Sequence, residues 1–404
     1  MLFTKITILS KANVKGEIIY KGGIIMVRSF LAVGQGAFYC ECFRANPNNV
    51  NVVYDCGSST DKNILEGAIK NNFYQGEEIA ALFISHLHED HINGIPFLLR
   101  HCKVKKIYFP LIASNNKKIL DIYNDINGIR GFTADFLRNP GRAIRALQIG
   151  YRPELIGIRE QGQESYEREL EFLVEREEDI RILESGHNVF ADMNLPPQIH
   201  GEWLYIPFNF RRKSRIEKLK DNLKTQFGRP VTEEEMEHMW RDTSQAGNSD
   251  RQKIIAAYKG VPGKLNVNSM TLFSGEKEYN LRQCLDTQCM RGCKNPCWCF
   301  QSKPSGCLYT GDYDASGQEK WEQLETAYKE YWKFIGCIQL PHHGSKHNFN
   351  INFLNMNAYF VVSAGFSNQF QHPHASVVKA FLLNRKMLFV VTEQVGSSLH
   401  LWVE

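Results

Sequence analysis

The sequence predicts an α/β sandwich. Three features carry that prediction. Short apolar runs alternate with stretches of helical spacing, turn residues separate them, and 404 residues with 43% hydrophobic content can bury a large core. Ile24 to Phe43 reads as a hairpin turning at Gly34-Gln35-Gly36, and Asn51 to Tyr54 as the next strand. Ile64 to Ile69 reads as a short helix. The unbroken apolar run Ile79 to Ile84 reads as a strand buried on both faces. Ile95-Pro96-Phe97-Leu98-Leu99 opens another helix, and Val104 to Pro110 another strand.

Residues 111–260 have a different character. Helical spacing runs from Lys117 to Leu137 and from the acidic Glu164 to Glu184, and Trp203 to Pro207 returns to a core strand. Arg211-Arg212-Lys213-Ser214-Arg215 with Lys218 and Lys220 forms a basic run, and Thr232 with Glu235 fits a capping box opening a helix toward Trp240. The expected organisation is one domain over 1–404, with a mostly helical insertion at 111–260 and a Cys-rich loop at 280–307. The N-terminal residues Met1 to Ser10 alternate like a strand and lack the features of a signal peptide.

Charge and cysteine usage narrow the function classes. A net charge of +4 does not by itself predict nucleic-acid binding. No apolar window reaches the ~20 residues of a membrane-spanning helix. Eleven cysteines, an odd count without an export signal, fit a reduced, cytoplasmic setting. Cys40, Cys42, Cys56, Cys102 and Cys337 lie in or beside strand-like runs and read as core thiols.

The chemistry is concentrated in Ser85-His86-Leu87-His88-Glu89-Asp90-His91, directly after the apolar run. Neutral imidazoles with a carboxylate suit a borderline divalent ion such as zinc. So many ligands so close together cannot all reach one tetrahedral ion from a regular helix or strand. A turn splits them into pairs: His86 and His88 for one ion, Asp90 and His91 for a second.

This segment resembles the H-x-H-x-D-H signature of the metallo-β-lactamase superfamily, and further segments resemble its ComEC-like hydrolase branch, which includes the competence nuclease domain and phosphorylcholine esterases. Phe30 to Gly36 resembles the branch's "F-x-x-V-G-Q-G" turn, and Val52-Val53-Tyr54-Asp55-Cys56-Gly57 its second strand. Asn266-Val267-Asn268-Ser269 resembles its Asn/Ser strand, Leu308-Tyr309-Thr310-Gly311-Asp312 its "L-x-T-G-D", and Pro341-His342-His343-Gly344-Ser345 its "P-H-H-G-S". Ser363 to Asn368, followed by His372-Pro373-His374, resembles its last motif. The motifs stand in the family's order over about 25–110 and 260–404. The resemblance implies a four-layer αββα sandwich with the site at one edge of two facing sheets.

It also implies roles. Two divalent ions, zinc or manganese, lie about 3.5–4 Å apart and activate a shared water that attacks phosphorus. Asp312 corresponds to the carboxylate bridging both ions, and His343 is the expected last ligand of the second. His342, not separable from His343 by sequence, meets substrate or a neighbouring carboxylate. Asp55 orients a ligand imidazole from behind. His372 contacts a phosphate oxygen or protonates the leaving group. Asn268, Ser269, Ser345 and Asn368 are expected at the substrate, with Asn368 also fixing its loop. Many superfamily members carry another histidine ligand between the first motif and the bridging Asp. Here the Asn/Ser strand stands in that place, so the first ion is expected to keep an open position, and His187 reads as a loop histidine. Cys284, Cys289, Cys293, Cys297 and Cys299 suggest a structural zinc of Cys₄ type, with free thiols as the plainer reading.

The function expected from these residues is metal-dependent hydrolysis of phosphodiester bonds, with DNA or RNA as substrate and no membrane partner. The alternatives are a small-molecule phosphodiesterase of phosphocholine-esterase type and a non-catalytic metal-binding regulatory protein.

Overall fold

The structure, a computed structural model, describes residues 25–44, 49–161, 180–193, 203–211, 213–261, 265, 268–278, 281–285 and 302–403. The expected N-terminal strand lies outside them, as do four of the cysteines proposed for zinc. Cys284 is described: it is buried in a short strand and forms no disulfide with another described cysteine.

Two sheets face each other. Among the described residues the larger has ten strands. β1 (Ile25–Phe30), β2 (Gly36–Arg44) and β3 (Val50–Ser58) are antiparallel neighbours. β4 (Glu78–Phe83), β5 (Lys103–Pro110), β6 (Glu154–Ile158) and β7 (Ile180–Leu183) then continue from β3, all parallel. The smaller sheet begins with β8 (Trp203–Arg211) and β9 (Asn268–Glu276). β10 (Arg282–Cys284) and β11 (Lys303–Pro304) return to the larger sheet. β12 (Gly306–Tyr309), β13 (Ile335–Gln339), β14 (Tyr359–Ser363) and β15 (Leu388–Val391) complete the smaller one, and β16 (Leu399–Val403) pairs with β1. The orders are β11-β10-β16-β1-β2-β3-β4-β5-β6-β7 and β15-β14-β13-β12-β9-β8.

The two-residue period of a strand explains the layering. Along β3, Val52 and Tyr54 join the core between the sheets, while Val53 joins the cluster on the sheet's outer face; Asp55, at positive φ where the β2–β3 register shifts, breaks the alternation and puts Cys56 on the outer face too. That outer face is covered by helices Lys62–Asn72, Ile95–His101, Phe132–Arg138 and Pro140–Ala146, through residues such as Leu65, Leu98, Phe136 and Ile144. The outer face of the smaller sheet is covered by Gln318–Ala327 and Ala375–Leu383 through Trp321, Leu324 and Phe381. The architecture is therefore helix, sheet, sheet, helix. The run Ile79 to Ile84 is apolar throughout because both of its faces are covered.

Residues 111–260 differ from the helical expectation at their centre. Helices Ser114–Ile126, Lys213–Phe227, Glu233–Arg241 and Gln245–Lys259 form a separate apolar cluster around Ile119, Leu219, Met236 and Ile254. The helix expected from Lys117 to Leu137 is broken by Gly128 and Gly131, both at positive φ. The region also contributes β6, β7 and β8. The stretch Ile180–Leu183, read as the end of a helix, is a strand: its parallel partner β6 supplies the ladder that local charge pattern does not reveal. The capping box is present at Thr232 and Glu235. No helix among the described residues is long and apolar enough to cross a membrane.

Candidate metal centre

The chemistry-bearing residues sit at the carboxyl ends of parallel strands, where open α/β sheets leave a crevice. β4 ends at Phe83 and runs into His86–His91, and β12 ends at Tyr309 before Asp312. β13 ends at Gln339 before His342 and His343, and β14 at Ser363 before His372. Strand direction therefore gathers segments more than 200 residues apart.

Glycines permit the close approach. A Cβ on Gly57 would lie 2.5 Å from the backbone of Asp90 and His91, so the turn carrying both ligands packs directly on β3. Gly311, at φ +52°, would put a Cβ 2.6 Å from Ser85, so the strand end bearing Asp312 meets the start of the histidine turn. Asp55, His342 and His343 also adopt positive φ, at 56°, 48° and 55°. Backbone strain of this kind gathers at functional sites.

Two ligand groups result. His86, His91 and Asp312 offer atoms mutually within 4.8 Å, and so do Asp90, His91 and His343, all buried. The Asp312 carboxylate faces both ways. Its Oδ1 lies 3.5 Å from His91 Nε2, and its Oδ2 lies 3.4 Å from His86 Nε2 and 3.6 Å from His342 Nε2. Asp90 Oδ2 lies 3.4 Å from His343 Nε2.

Hydrogen bonds set which nitrogen each ring presents. Asp55, fully buried, accepts from the Ser85 amide at 2.7 Å, the Ser85 hydroxyl at 2.6 Å and His91 Nδ1 at 2.8 Å. Since Ser85 spends its proton on Asp55, its oxygen accepts from His86 Nδ1 at 2.9 Å. His343 Nδ1 donates to the Ser363 carbonyl at 2.9 Å. The side-chain amide of Asn348 donates to the Asp312 and Tyr313 carbonyls, leaving its oxygen to accept from His342 Nδ1 at 3.0 Å. Every one of these rings thus turns an Nε2 lone pair toward the carboxylates. The Nε2 atoms of His86, His91 and His343 are buried without a hydrogen-bond partner among the described residues. Such orphaned acceptors beside carboxylates fit divalent cations.

The electrostatics agree. Burial opposes a charged His91, but Asp55 and Asp312 outweigh it and push its pKa well up. Burial, reinforced by His91, pulls His86 down. Burial also opposes an ionised Asp312, yet His342 and His86 hold it well below the usual carboxylate range. The pocket therefore favours positive charge: a proton in the metal-free protein, a cation otherwise.

Several expected residues sit differently. His88 joins neither group: its Nε2 donates to the Leu265 carbonyl at 3.2 Å, although its ring stays 4.7 Å from that of His86. His88 is the N-cap of the short helix Glu89–Ile92, with an extended backbone, and its ring is bonded to Leu265. The expected split of His86 from His91 gives way to a shared His91, whose ring centre is 4.0 Å from that of His86. Asn368, expected at the substrate, spends its amide inside its loop. Its nitrogen donates to the Gly365 and His372 carbonyls and its oxygen accepts the His372 amide. Ser345 is buried and its hydroxyl accepts the His347 amide, closing a turn. His372 is pushed down to about 3, first by burial and then by His343 and His342, which favours its neutral imidazole in the free site. Ser269 is buried with an unsatisfied hydroxyl, one residue before Met270, whose amide donates to the Ser85 carbonyl. Asn268 opens β9.

Sequence reasoning passed over Ser85, Gln339 and Asn348. Gln339 accepts the Thr310 and Gly311 amides and donates to the Gly311 and Leu340 carbonyls, locking the Asp312 turn to the His342–His343 turn. Their only sequence signal is position, next to the histidine motifs. The insertion reaches the site too: Ile112, Leu120, Tyr123 and Leu137 line a narrow cleft with His86 and His88. The basic run is partly neutralised, with Arg211 3.8 Å from Glu160 and Lys220 2.7 Å from Glu233.

Residues 36–128 match the metallo-beta-lactamase superfamily model, and the layered sheets and helices are its α/β fold. The match covers Asp55 and the histidine turn and stops before Asp312. Among curated proteins, Ribonuclease J of Mycoplasma pneumoniae is 41% identical over 70 residues, 16% of this chain and 12% of that protein. Ribonuclease Z of Streptococcus equi subsp. equi is 34% identical over 99 residues, 24% of this chain and 28% of that protein. The similarity thus spans less than a third of either relative's length. Among solved structures, human tRNase Z, short form, aligns over 91% of this chain and 92% of its own, at 10% identity and a TM-score of 0.32.

Proposed function

We propose that this chain is a metal-dependent hydrolase of phosphodiester bonds acting on nucleic acid. One observation carries the reading: two buried ligand groups, His86 with His91 and Asp312 and Asp90 with His91 and His343, meet at His91. His86, His91, His342 and Asp312 would hold one divalent ion, and Asp90, His91 or Asp312, and His343 the other. Such a pair, when bound, supplies Lewis acidity and makes water nucleophilic near neutral pH.

The chain's own residues do the rest. Asp55 and Ser85 fix the tautomers of His91 and His86, so both rings are poised as ligands before any ion arrives. Asn348 and the Ser363 carbonyl do the same for His342 and His343. The apolar wall of Ile112, Leu120 and Leu137 limits water on the His86 side.

Nucleic acid is favoured over a small ester by the local likeness to Ribonucleases J and Z, whose names state that they cleave RNA. The motif order, with an Asn/Ser strand in place of a further histidine, supports the ComEC-like branch. The test is incubation with labelled single- and double-stranded DNA, RNA and bis-p-nitrophenyl phosphate, with Mn²⁺, Zn²⁺ or chelator. Chelator-sensitive cutting of polymer, abolished in Asp312→Ala and His343→Ala, is the expected result. Turnover of the small ester alone overturns the nucleic-acid assignment, and no turnover at full metal occupancy overturns the catalytic one.

A further inference from the structure

Two aromatic side chains stand exposed on the loop that follows β14: Phe366, 77% exposed, and Phe370, 44% exposed. The loop that carries them is stapled. Asn368 bonds to Gly365 on one side and to both backbone groups of His372 on the other, and the Phe366 amide donates to Glu393 at 2.8 Å. The aromatic rings are therefore displayed by a built scaffold.

The Phe370 ring also points somewhere. Phe370 stacks on His372 at 5.8 Å and 25°, and His372 stacks on the candidate ligand His343 at 6.2 Å and 26°. A ladder of near-parallel rings leads from the metal centre to the surface. The His374 amide donates to the Gly344 carbonyl, tying this loop to the His342–Ser345 turn. Exposed Lys346, two residues past Gly344, offers positive charge on the same rim.

Resting on the phosphodiester reading above, we infer that loop 365–372 is a base-stacking platform: Phe370 and Phe366 take the unpaired bases that flank the scissile phosphate, so the substrate enters as a single strand. Flat π-faces suit every base, which predicts tolerance of sequence, and paired bases inside a duplex cannot reach the rings. A phosphate at the metal centre with its neighbouring base on Phe370 uses both features at once.

The experiment measures binding of a single-stranded oligonucleotide with non-hydrolysable phosphorothioate linkages and one 2-aminopurine, against an all-abasic strand of equal length. The proteins are wild type, F370A, F366A and F370W, each checked for an unchanged melting temperature. The expected result is quenching of 2-aminopurine and about 10-fold weaker binding in F370A, in the range for loss of one stacked base. F370W should restore binding, and the abasic strand should bind wild type and F370A alike. Base-bearing strand bound within twofold by all four proteins overturns the platform; if oligonucleotides are nonetheless cleaved, the nuclease reading stands without it. Binding lost in F370A with no hydrolysis of any substrate supports the platform and overturns catalysis. Wild type that ignores all oligonucleotides overturns the platform, whatever it does to small esters.

Discussion

Asp55→Asn removes one charge and no volume, and its consequences follow from three hydrogen bonds. In the native chain the carboxylate accepts two protons from Ser85 and one from His91 Nδ1, all at 2.6–2.8 Å and out of contact with water. An asparagine keeps one acceptor, which the Ser85 amide can retain. Its NH₂ group then faces Ser85 Oγ and His91 Nδ1, donor against donor. Two charge-assisted bonds are lost at about 1.5 kcal/mol or more each, so stability should fall by about 3 kcal/mol. His91 escapes the clash by moving its proton to Nε2, the nitrogen that faces Asp312 and would bind metal. Ser85 turns its own proton toward His86 Nδ1 and disturbs that ring as well. Loss of such a supporting group lowers metal affinity by about 10–100-fold. Competition against a chromophoric chelator gives the affinity, and urea denaturation of chelator-treated protein gives the stability. Asp55→Asn protein that holds zinc within twofold of wild type would refute the claim that Asp55 sets the ligand tautomers.

Other outcomes follow from the same geometry. His91 has a raised folded pKa, so the stability from its proton is complete below its unfolded value of about 6.5 and is lost as pH rises through the folded value. Metal-free protein should therefore lose melting temperature between neutral and alkaline pH, and metal-loaded protein should not, because the ion replaces the proton; parallel calorimetric profiles would contradict this. Gly57→Ala should cost about 1–3 kcal/mol and weaken metal binding together, since its methyl group displaces the backbone of Asp90 and His91. Thr232→Ala should cost about 1 kcal/mol through the capping box while leaving metal affinity unchanged, as its helix belongs to the separate insertion cluster. His88→Ala, freeing a bond to Leu265, should reduce metal affinity less than His343→Ala does; the reverse order in the chelator titration would restore His88 as a principal ligand.

By itself the sequence determined that the run Ile79 to Ile84 is buried on both faces, where the glycine turns fall, and which residue types end each strand beside the site. Those properties are local: an unbroken apolar run, a glycine turn and a carboxylate after Gly311 are visible in the chain alone. Only the tertiary structure decided that His91 is shared between two groups, that His88 turns to Leu265, and that Asn368 and Ser345 spend their polar atoms within their own loops. The same holds for Ile180–Leu183, whose strand exists because β6 lies beside it. The physical reason is common to all of these. A hydrogen bond or a shared ligand depends on which nitrogen or oxygen comes within about 3 Å of which partner. That distance is set by packing between segments far apart in the chain, through contacts such as Gly57 on the Asp90–His91 backbone and Gly311 on Ser85.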